Sequence, residues 1–257
     1  VTSGSHACVL LDDGSLKCWG SGGQGQLGQG STASIAAGDV ANTPAIDVGA
    51  NVVKVAVGGY HTCAVLDTGS LACWGDGSRG QLGHGSTSDL GAEPGRANVT
   101  VDLGQGRTVL EVTCHLYHTC VLLDDFSVKC FGDTTDYSTQ FGDGPNEMGQ
   151  NLPAVDLGTG RSARQITSGL WHRCAILDDC SLKCWGQAAY GRLGYGDTIQ
   201  RWDDNPNRMG DHLPAVDITL NTSPATDCSL WFMASTSTQL TFTSFTSSST
   251  ASGTITH

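Results

Sequence analysis

One fifteen-residue pattern occurs four times in this chain, and it constrains the fold more than any other feature. Each copy begins at a His, carries Cys two and twelve residues later, and ends in an aromatic residue followed by Gly. Successive copies are offset by 55, 57 and 54 residues. The copies are His6–Gly20, His61–Gly75, His118–Gly132 and His172–Gly186. A repeat of this period indicates that the chain stacks similar units.

Each copy also has similar surroundings. Apolar stretches precede three copies, at Val52–Gly58, Val109–Cys114 and Arg164–Gly169. Gly-rich segments follow, at Gly25–Gly30, Gly80–Gly85, Gln140–Gly144 and Gly191–Gly196. Extended segments close the units, at Pro44–Val48, Val99–Leu103, Pro153–Leu157 and Pro214–Ile218. Four short strands a unit, without a sustained 3.6-residue period, predict an all-β chain of four propeller-type, four-stranded blades, a partial or open β-propeller.

The pattern divides the chain into a repeat array and an extension. The array covers residues 1–218, with approximate blades at 1–49, 50–104, 105–158 and 159–218. The extension, residues 219–257, is rich in Ser and Thr and carries no Asp, Glu, Lys or Arg after residue 233. That composition is typical of an O-glycosylated stalk. Its segments Cys228–Met233 and Gln239–Thr246 are apolar or β-prone, however, and favour strands that pair with a sheet.

The second and third strands of each unit should form a hairpin with a three-residue tip. In the first unit the tip is Asp12–Gly14, which places Cys8 opposite Cys18. The third and fourth units have Phe126 and Cys180 where the first has Gly14. A left-handed backbone costs these residues more than it costs Gly, so we expect those two turns to be reshaped.

This register predicts one disulfide bond in each hairpin, because paired Cys on adjacent strands lie close enough to bond. The predicted pairs are Cys8–Cys18, Cys63–Cys73, Cys120–Cys130 and Cys174–Cys184. The alternative is eight buried free thiols in a cytosolic protein. Zinc is disfavoured, since the pairs would lie in separate blades. Disulfide bonds predict an oxidising compartment, and therefore a secreted, extracellular protein.

Three further Cys and two glycosylation motifs stand outside this scheme. Cys114, Cys180 and Cys228 are an odd set, so at least one has no partner within the chain. Cys180, at a hairpin tip, is a candidate for an intermolecular bond or a plain free thiol. Asn98 and Asn221 each begin an Asn-x-Ser/Thr motif. Asn98 opens the closing strand of a blade, where a glycan would protect an exposed edge.

The repeated hairpin, with the Gly-Gln-Leu-Gly-x-Gly segment after it, resembles the regulator of chromosome condensation repeat. The resemblance covers about residues 1–218 and is closer to the Cys-rich secreted branch of that family, in which Leu-Pro-Ala-Val-Asp-Leu-Gly also recurs. It implies a β-propeller, which in that family has seven blades against four here. The founding member acts as a nucleotide exchange factor on a small GTPase, an activity that the Cys pairs and the blade number argue against here.

No residue set predicts catalysis, a cofactor or a metal. The four aligned residues His6, His61, His118 and His172 occur once in every unit, so a structural role is expected, with each ring packed near its hairpin aromatic and bonded to a loop carbonyl. The segments Asp143–Glu147 and Asp203–Asn207 could offer oxygens to calcium, although turn formation explains them as well. A net charge of −12 argues against nucleic acid, and no apolar run reaches the length of a membrane span.

We therefore expect a non-enzymatic extracellular structural or adhesive protein that associates with itself. The β-prone extension would supply the first strand that the first blade largely lacks, either within one chain or from a neighbouring chain, which would give a ring or a filament. The alternative is a monomeric secreted module that presents its Gly-rich loops to a protein or glycan partner.

Overall fold

A computed structural model describes residues 1–2, 5–133, 140–203 and 205–218. Residues Val1–Ile218 form one compact unit. Within the described ranges there are twelve β-strands and four three-residue 3₁₀ turns. The strands are β1 His6–Leu10, β2 Leu16–Gly20, β3 Val52–Val57, β4 His61–Leu66, β5 Leu71–Gly75, β6 Val109–Cys114, β7 His118–Leu123, β8 Val128–Asp133, β9 Gln140–Phe141, β10 Ala163–Ser168, β11 His172–Leu177 and β12 Leu182–Gly186. The 3₁₀ turns are Val40–Asn42, Arg96–Asn98, Ala189–Gly191 and Gly210–His212.

The strands form four separate antiparallel sheets, one for each repeat. Blade A contains β1 and β2, blade B contains β3 to β5, blade C contains β6 to β9, and blade D contains β10 to β12. The all-β class and the propeller-type blades predicted from the sequence are confirmed. The closing segments lie beside the third strands but pair through isolated bridges, such as Ala72 with Thr100 and Lys129 with Ala154.

The hairpin register is the one that the spacing predicts. Leu10 pairs with Leu16 and Cys8 with Cys18, and the other three hairpins follow the same register. The expected reshaping of two tips is wrong. Phe126 and Cys180 have φ of 63° and 68°, close to the 80° of Gly14. The cross-strand pairs on both sides impose this turn. The Asp125 and Asp179 carboxylates accept the backbone N–H groups of Ser127 and Ser181, two residues later, which offsets the left-handed strain.

The structure brings the sulfurs of each hairpin pair together. Cys8–Cys18, Cys63–Cys73, Cys120–Cys130 and Cys174–Cys184 are disulfide-bonded, with Cα atoms 4.1 Å apart in every pair. Cys180 is also disulfide-bonded. Cys114 is a buried free thiol. Cys228, Asn221 and the rest of the 219–257 extension lie outside the described residues, so the expectations for them stay predictions.

The third Gly-rich segment differs from the position that the sequence suggests. Phe141 pairs with Gly132 at the end of β8. Leu90 occupies that place in blade B, opposite Gly75. Gln140–Gly144 therefore corresponds to the bridge that follows a Gly-rich segment, and its alignment with Gly80–Gly85 is wrong. The Gly and Phe residues of Gln140–Gly144 resemble a Gly-rich segment in composition, but they form the bridge to the end of β8.

The core lies largely between the blades. Trp74, Phe131 and Trp185, one from each of blades B, C and D, are fully buried. A Cβ added to Gly28 would lie 2.8 Å from Trp74, and one added to Gly83 would lie 2.8 Å from Phe131. The Gly-rich loops of blades A and B are therefore wedged against the aromatic residue of the next blade, where only Gly allows the approach.

Candidate partner-binding site

The repeated His residues connect consecutive blades. The Nε2 atom of His6 lies 2.7 Å from the Thr62 hydroxyl, which donates to the Gln26 carbonyl at 2.9 Å. A hydroxyl has a single proton. Since Thr62 gives that proton to the carbonyl, His6 must donate from Nε2. The predicted structural role therefore takes a different form, because the ring bonds a Thr of the next blade instead of a loop carbonyl.

The junction between blades B and C repeats these contacts. His61 Nε2 lies 2.9 Å from the Thr119 hydroxyl, and that hydroxyl donates to the Gln81 carbonyl at 2.9 Å. Burial, together with the smaller effects of the nearby His6 and His115, lowers the pKa of His61 from 6.5 to about 3. The ring is therefore neutral at ordinary pH, and its single N–H is the one at Nε2.

The junction between blades C and D lacks this connection. Arg173 stands where the preceding blades have Thr62 and Thr119, and its side chain is 1% exposed. Within the described part of the chain, the guanidinium nitrogens of Arg173 and both ring nitrogens of His118 have no hydrogen-bond partner. Asp203 Oδ2 lies 3.9 Å from Arg173 Nη1. Burial lowers the pKa of Arg173, whereas Asp203 and Asp133 oppose this effect.

The turns before these His residues carry a row of aromatic side chains. Tyr60, Tyr117 and Trp171 each immediately precede the His of their blade. The ring centroids of Tyr60 and Tyr117 are 6.3 Å apart, and those of Tyr117 and Trp171 are 6.4 Å apart. All three side chains are half-buried. We call Tyr60, Tyr117 and Trp171 the aromatic row.

Tight backbone geometry holds the aromatic row in place. The Gly58 N–H donates to the His61 carbonyl at 2.8 Å, and Gly169 donates to His172 in the same way. A Cβ at either Gly would lie 2.1 Å from the ring of that His. Gly at these positions therefore lets the ring fold beneath the turn, which projects the preceding aromatic residue. Blade C has His115 at this position, 6.2 Å from the His118 ring centroid.

A groove of about 680 Å³ lies next to the aromatic row. Its walls are the N-terminal residues Val1, Thr2 and Ser5, together with the first strands of blades B, C and D and the turns that follow them. The lining includes Val55, Tyr60, Val112, Leu116, Ser168 and Leu170. Arg79 lies beside the aromatic row, with its guanidinium carbon 5.8 Å from the Tyr117 ring centroid and Nη1 3.7 Å from Asp133. The surface combines apolar walls, aromatic rings and one cationic group.

Comparison with known proteins identifies the repeat. Two profiles of the Regulator of chromosome condensation (RCC1) repeat match this chain, one at residues 13–65 and 68–122 and one at residues 52–81. The chain belongs to the RCC1 repeat family. Mouse E3 ubiquitin-protein ligase HERC2 is 31% identical over 197 residues, which are 76% of this chain and 4% of HERC2. Human RCC1 domain-containing protein 1 is 31% identical over 79% of this chain and 47% of its own length.

A solved structure shows the same fold. Prp20p from Saccharomyces cerevisiae has a TM-score of 0.59 to this chain at 18% identity, covering 84% of this chain and 49% of Prp20p. The chain thus spans about half the length of Prp20p and of RCC1 domain-containing protein 1. These likenesses establish RCC1-type propeller blades. The assignment to a Cys-rich secreted branch of the RCC1 family stays a prediction.

Several residues that the sequence suggested as a binding surface instead pack inside the RCC1-type blades. The Gly-rich loops expected to face a partner are largely internal, since Gln26, Leu27, Gln81 and Leu82 are buried. Sequence reasoning also missed the aromatic row, although the position before each His would have revealed it. No helix in the described ranges has the length and apolar character needed to cross a membrane.

The remaining candidate residues lie apart from the groove. Glu147 accepts the backbone N–H groups of Gly142 and Gly144 at 2.9 and 2.8 Å, so its carboxylate closes its own loop. Asp204, in the second candidate calcium loop, lies outside the described residues. Asn98 is exposed at the end of the 3₁₀ turn Arg96–Asn98, directly before the closing segment of blade B. Its glycosylation stays a prediction.

Proposed function

We propose that this chain is a non-catalytic protein-binding module whose contact surface is the aromatic row together with the adjoining groove. The observation that carries the proposal is the three-blade row itself, held half-exposed beside apolar walls. Tyr, Trp and Arg are enriched among the residues that contribute most to protein interfaces. Tyr60, Tyr117, Trp171 and Arg79 supply these residue types within one continuous surface.

The family supports binding as the activity without naming the partner. The Prp20p structure is described together with the binding of that protein to Gsp1p and histones. At 18% identity, the likeness to Prp20p supports a shared fold and does not identify the partner of this chain. The net charge of −12 makes a basic partner surface electrostatically favourable.

We place the protein in an oxidising, extracellular compartment. Four hairpin disulfide bonds with the same geometry support this assignment. The exposed Asn98 motif also suits a secretory route. Alkylation of unfolded but unreduced material tests the assignment: the eight hairpin Cys should resist modification even though unfolding exposes them. Modification of all eight would exclude both the disulfide bonds and this compartment.

Capture experiments test the aromatic row. The immobilised chain is compared with a variant carrying Tyr60→Ser, Tyr117→Ser and Trp171→Ser, using extract or fluid from the source as the pool of partners. A matched control is Tyr190→Ser, because Tyr190 is 96% exposed and lies outside the groove. The proposal predicts a protein that the control retains and the row variant loses. Equal retention by both variants would exclude the row as the contact surface.

Self-association is the second candidate function. In blade A, the first strand is represented by the bridge between Thr2 and Ala7. Among the described residues, Val9 pairs on one side with Lys17 of β2, and Val9 and Leu11 are 37% and 38% exposed. A β-strand from the 219–257 extension would cover the other edge of β1. Deletion of residues 225–257, followed by light scattering, should convert any assembly to monomers, and an assembly that persists would exclude the extension as the connector.

A further inference from the structure

The only free thiol among the described residues lies against a disulfide bond. Cys114 ends β6, the first strand of blade C, and is 8% exposed. Its Sγ, the Sγ of Cys63 and a ring nitrogen of His61 all lie within 4.8 Å of one another. Cys63 belongs to β4 of blade B and is bonded to Cys73. The three sulfurs therefore meet across the junction between blades B and C.

The Thr119 hydroxyl lies between these groups. Its oxygen is 3.7 Å from Cys63 Sγ and 3.8 Å from Cys114 Sγ. Its proton goes to the Gln81 carbonyl. The Cys63 sulfur has no proton, so the Cys114 S–H is the group that can donate to Thr119.

We propose that Cys114 is a thiol–disulfide exchange site that converts the Cys63–Cys73 hairpin bond into a Cys63–Cys114 bond between blades. The Cys114 thiolate attacks Cys63 Sγ, and the Cys63–Cys73 bond breaks. The electron pair leaves on Cys73, which takes up the proton that Cys114 lost. The step is an isomerisation and requires no external oxidant or reductant.

The exchange changes what the bond connects. The original bond joins residues separated by 10 positions within one hairpin. The new bond would join β4 of blade B to β6 of blade C and close a loop of about 51 residues, which constrains the unfolded chain more strongly. One blade thus loses its internal link, and the junction gains a covalent one.

The other junctions lack the attacking group. The position four residues before each His is Val57 in blade B, Cys114 in blade C and Ser168 in blade D. Blades B and D therefore show that Val or Ser can occupy the position that Cys114 has in blade C. Cys120, which corresponds to Cys63 in the next blade, has Ser168 at the corresponding position and serves as a matched control.

Burial sets the speed of the exchange. It raises the pKa of the Cys114 thiol to about 12, although the Thr119 hydroxyl and the Cys63 backbone N–H partly oppose this rise. The thiolate is the nucleophile in disulfide exchange. We therefore expect a slow conversion at neutral pH, which mildly alkaline incubation makes observable in hours.

A trapping variant tests the geometry. Cys73→Ser leaves Cys63 and Cys114 as thiols, and oxidised glutathione should join them, as peptide mapping after alkylation would show. Cys130→Ser is the control. Ser168 takes the position of Cys114 in the next blade, so the freed Cys120 should remain alkylatable or carry glutathione. If Cys63 and Cys114 both remain unlinked to each other in folded Cys73→Ser, the proposal is overturned.

Native protein provides the second measurement and does not depend on the folding of a variant. The oxidised chain is incubated without denaturant at pH 9, quenched with acid, alkylated and digested. The proposal predicts a Cys63–Cys114 peptide and alkylated Cys73, both of which disappear in Cys114→Ser. A map that retains only Cys63–Cys73 after prolonged incubation would overturn the proposal.

Discussion

The junctions between blades B and C and between blades C and D use corresponding positions, but only the first has the chain of hydrogen bonds that runs from His through Thr to a backbone carbonyl, and we call such a junction complete. At the B–C junction, His61 donates to Thr119, which donates to Gln81. At the C–D junction, Arg173 replaces the Thr and leaves the His118 ring nitrogens without a partner among the described residues. The comparison teaches that the hydrogen bonds between consecutive blades depend on a few repeated positions. Replacing the Thr of one blade removes the hydrogen bond to the His of the preceding blade.

The largest effect is expected where a complete junction is forced apart. A Cβ at Gly25 would lie 2.6 Å from Ala92 N and 2.7 Å from Leu90 O, whereas one at Gly191 meets nothing within 4 Å. Both Gly have positive φ, so both substitutions to Ala incur backbone strain. Gly25→Ala should lower the free energy of unfolding by about 2–5 kcal/mol and Gly191→Ala by about 1–2 kcal/mol. Urea unfolding measures the difference, and equal losses would refute a steric contribution from blade B.

Removal of the bridging hydroxyl should have the next largest effect. Thr119→Val keeps the shape of the side chain but leaves His61 Nε2 and the Gln81 carbonyl buried without their partner. We expect a loss of about 2–4 kcal/mol in the free energy of unfolding, since each unsatisfied group costs about 1–3 kcal/mol. Thr198→Val, at an exposed threonine, is the control and should change stability little. A loss no greater than that of the control would show that the Thr119 bonds contribute nothing.

The pH dependence of stability should also distinguish a complete junction from an exposed end. His61 stays neutral in the folded chain down to about pH 3, whereas the unfolded chain protonates near 6.5. Between these values the unfolded state binds more protons than the folded state. The free energy of unfolding therefore decreases as the pH is lowered, by about 1.4 kcal/mol per pH unit from this group. His61→Gln should remove that contribution to the slope, measured by urea unfolding between pH 6.5 and 4.5.

The control for this slope is His172→Gln, at the outer end of blade D. His172 is half-buried and its pKa is lowered by burial, with Arg192 and Arg173 adding to the effect. Its removal should reduce the slope less than His61→Gln does. Equal reductions would show that the complete junction does not keep His61 more strongly neutral than the end of the array keeps His172.

The smallest effect is expected at the incomplete junction. The Arg173 guanidinium is buried, lacks a hydrogen-bond partner in the described ranges and lies 3.9 Å from Asp203. A buried charge with so little compensation contributes little net stability. Arg173→Met, which keeps the length of the side chain, should change the free energy of unfolding by no more than about 1 kcal/mol. A loss as large as that of Thr119→Val would show that the guanidinium stabilises the junction.

Much of the local structure could be predicted because it depends on residues within about ten positions of each other. The three-residue tip Asp12–Gly14 specified the hairpin register that places Cys8 opposite Cys18, and the absence of a sustained 3.6-residue period indicated strands. The wrong expectation of a reshaped turn at Phe126 also has a local cause. Propensity disfavours a positive φ there, but the strand pairs and the Asp125 carboxylate impose it.

The sequence by itself determined the number of repeats, the hairpins, the Cys pairing within them and the all-β class. Only the tertiary structure decided which copies of a repeated residue face each other. It brought Cys114 next to Cys63, aligned Tyr60, Tyr117 and Trp171, and placed Phe141 at the bridge position. The reason is physical: every blade carries the same local signal, so the contacts between blades depend on how the sheets pack and not on spacing along the chain.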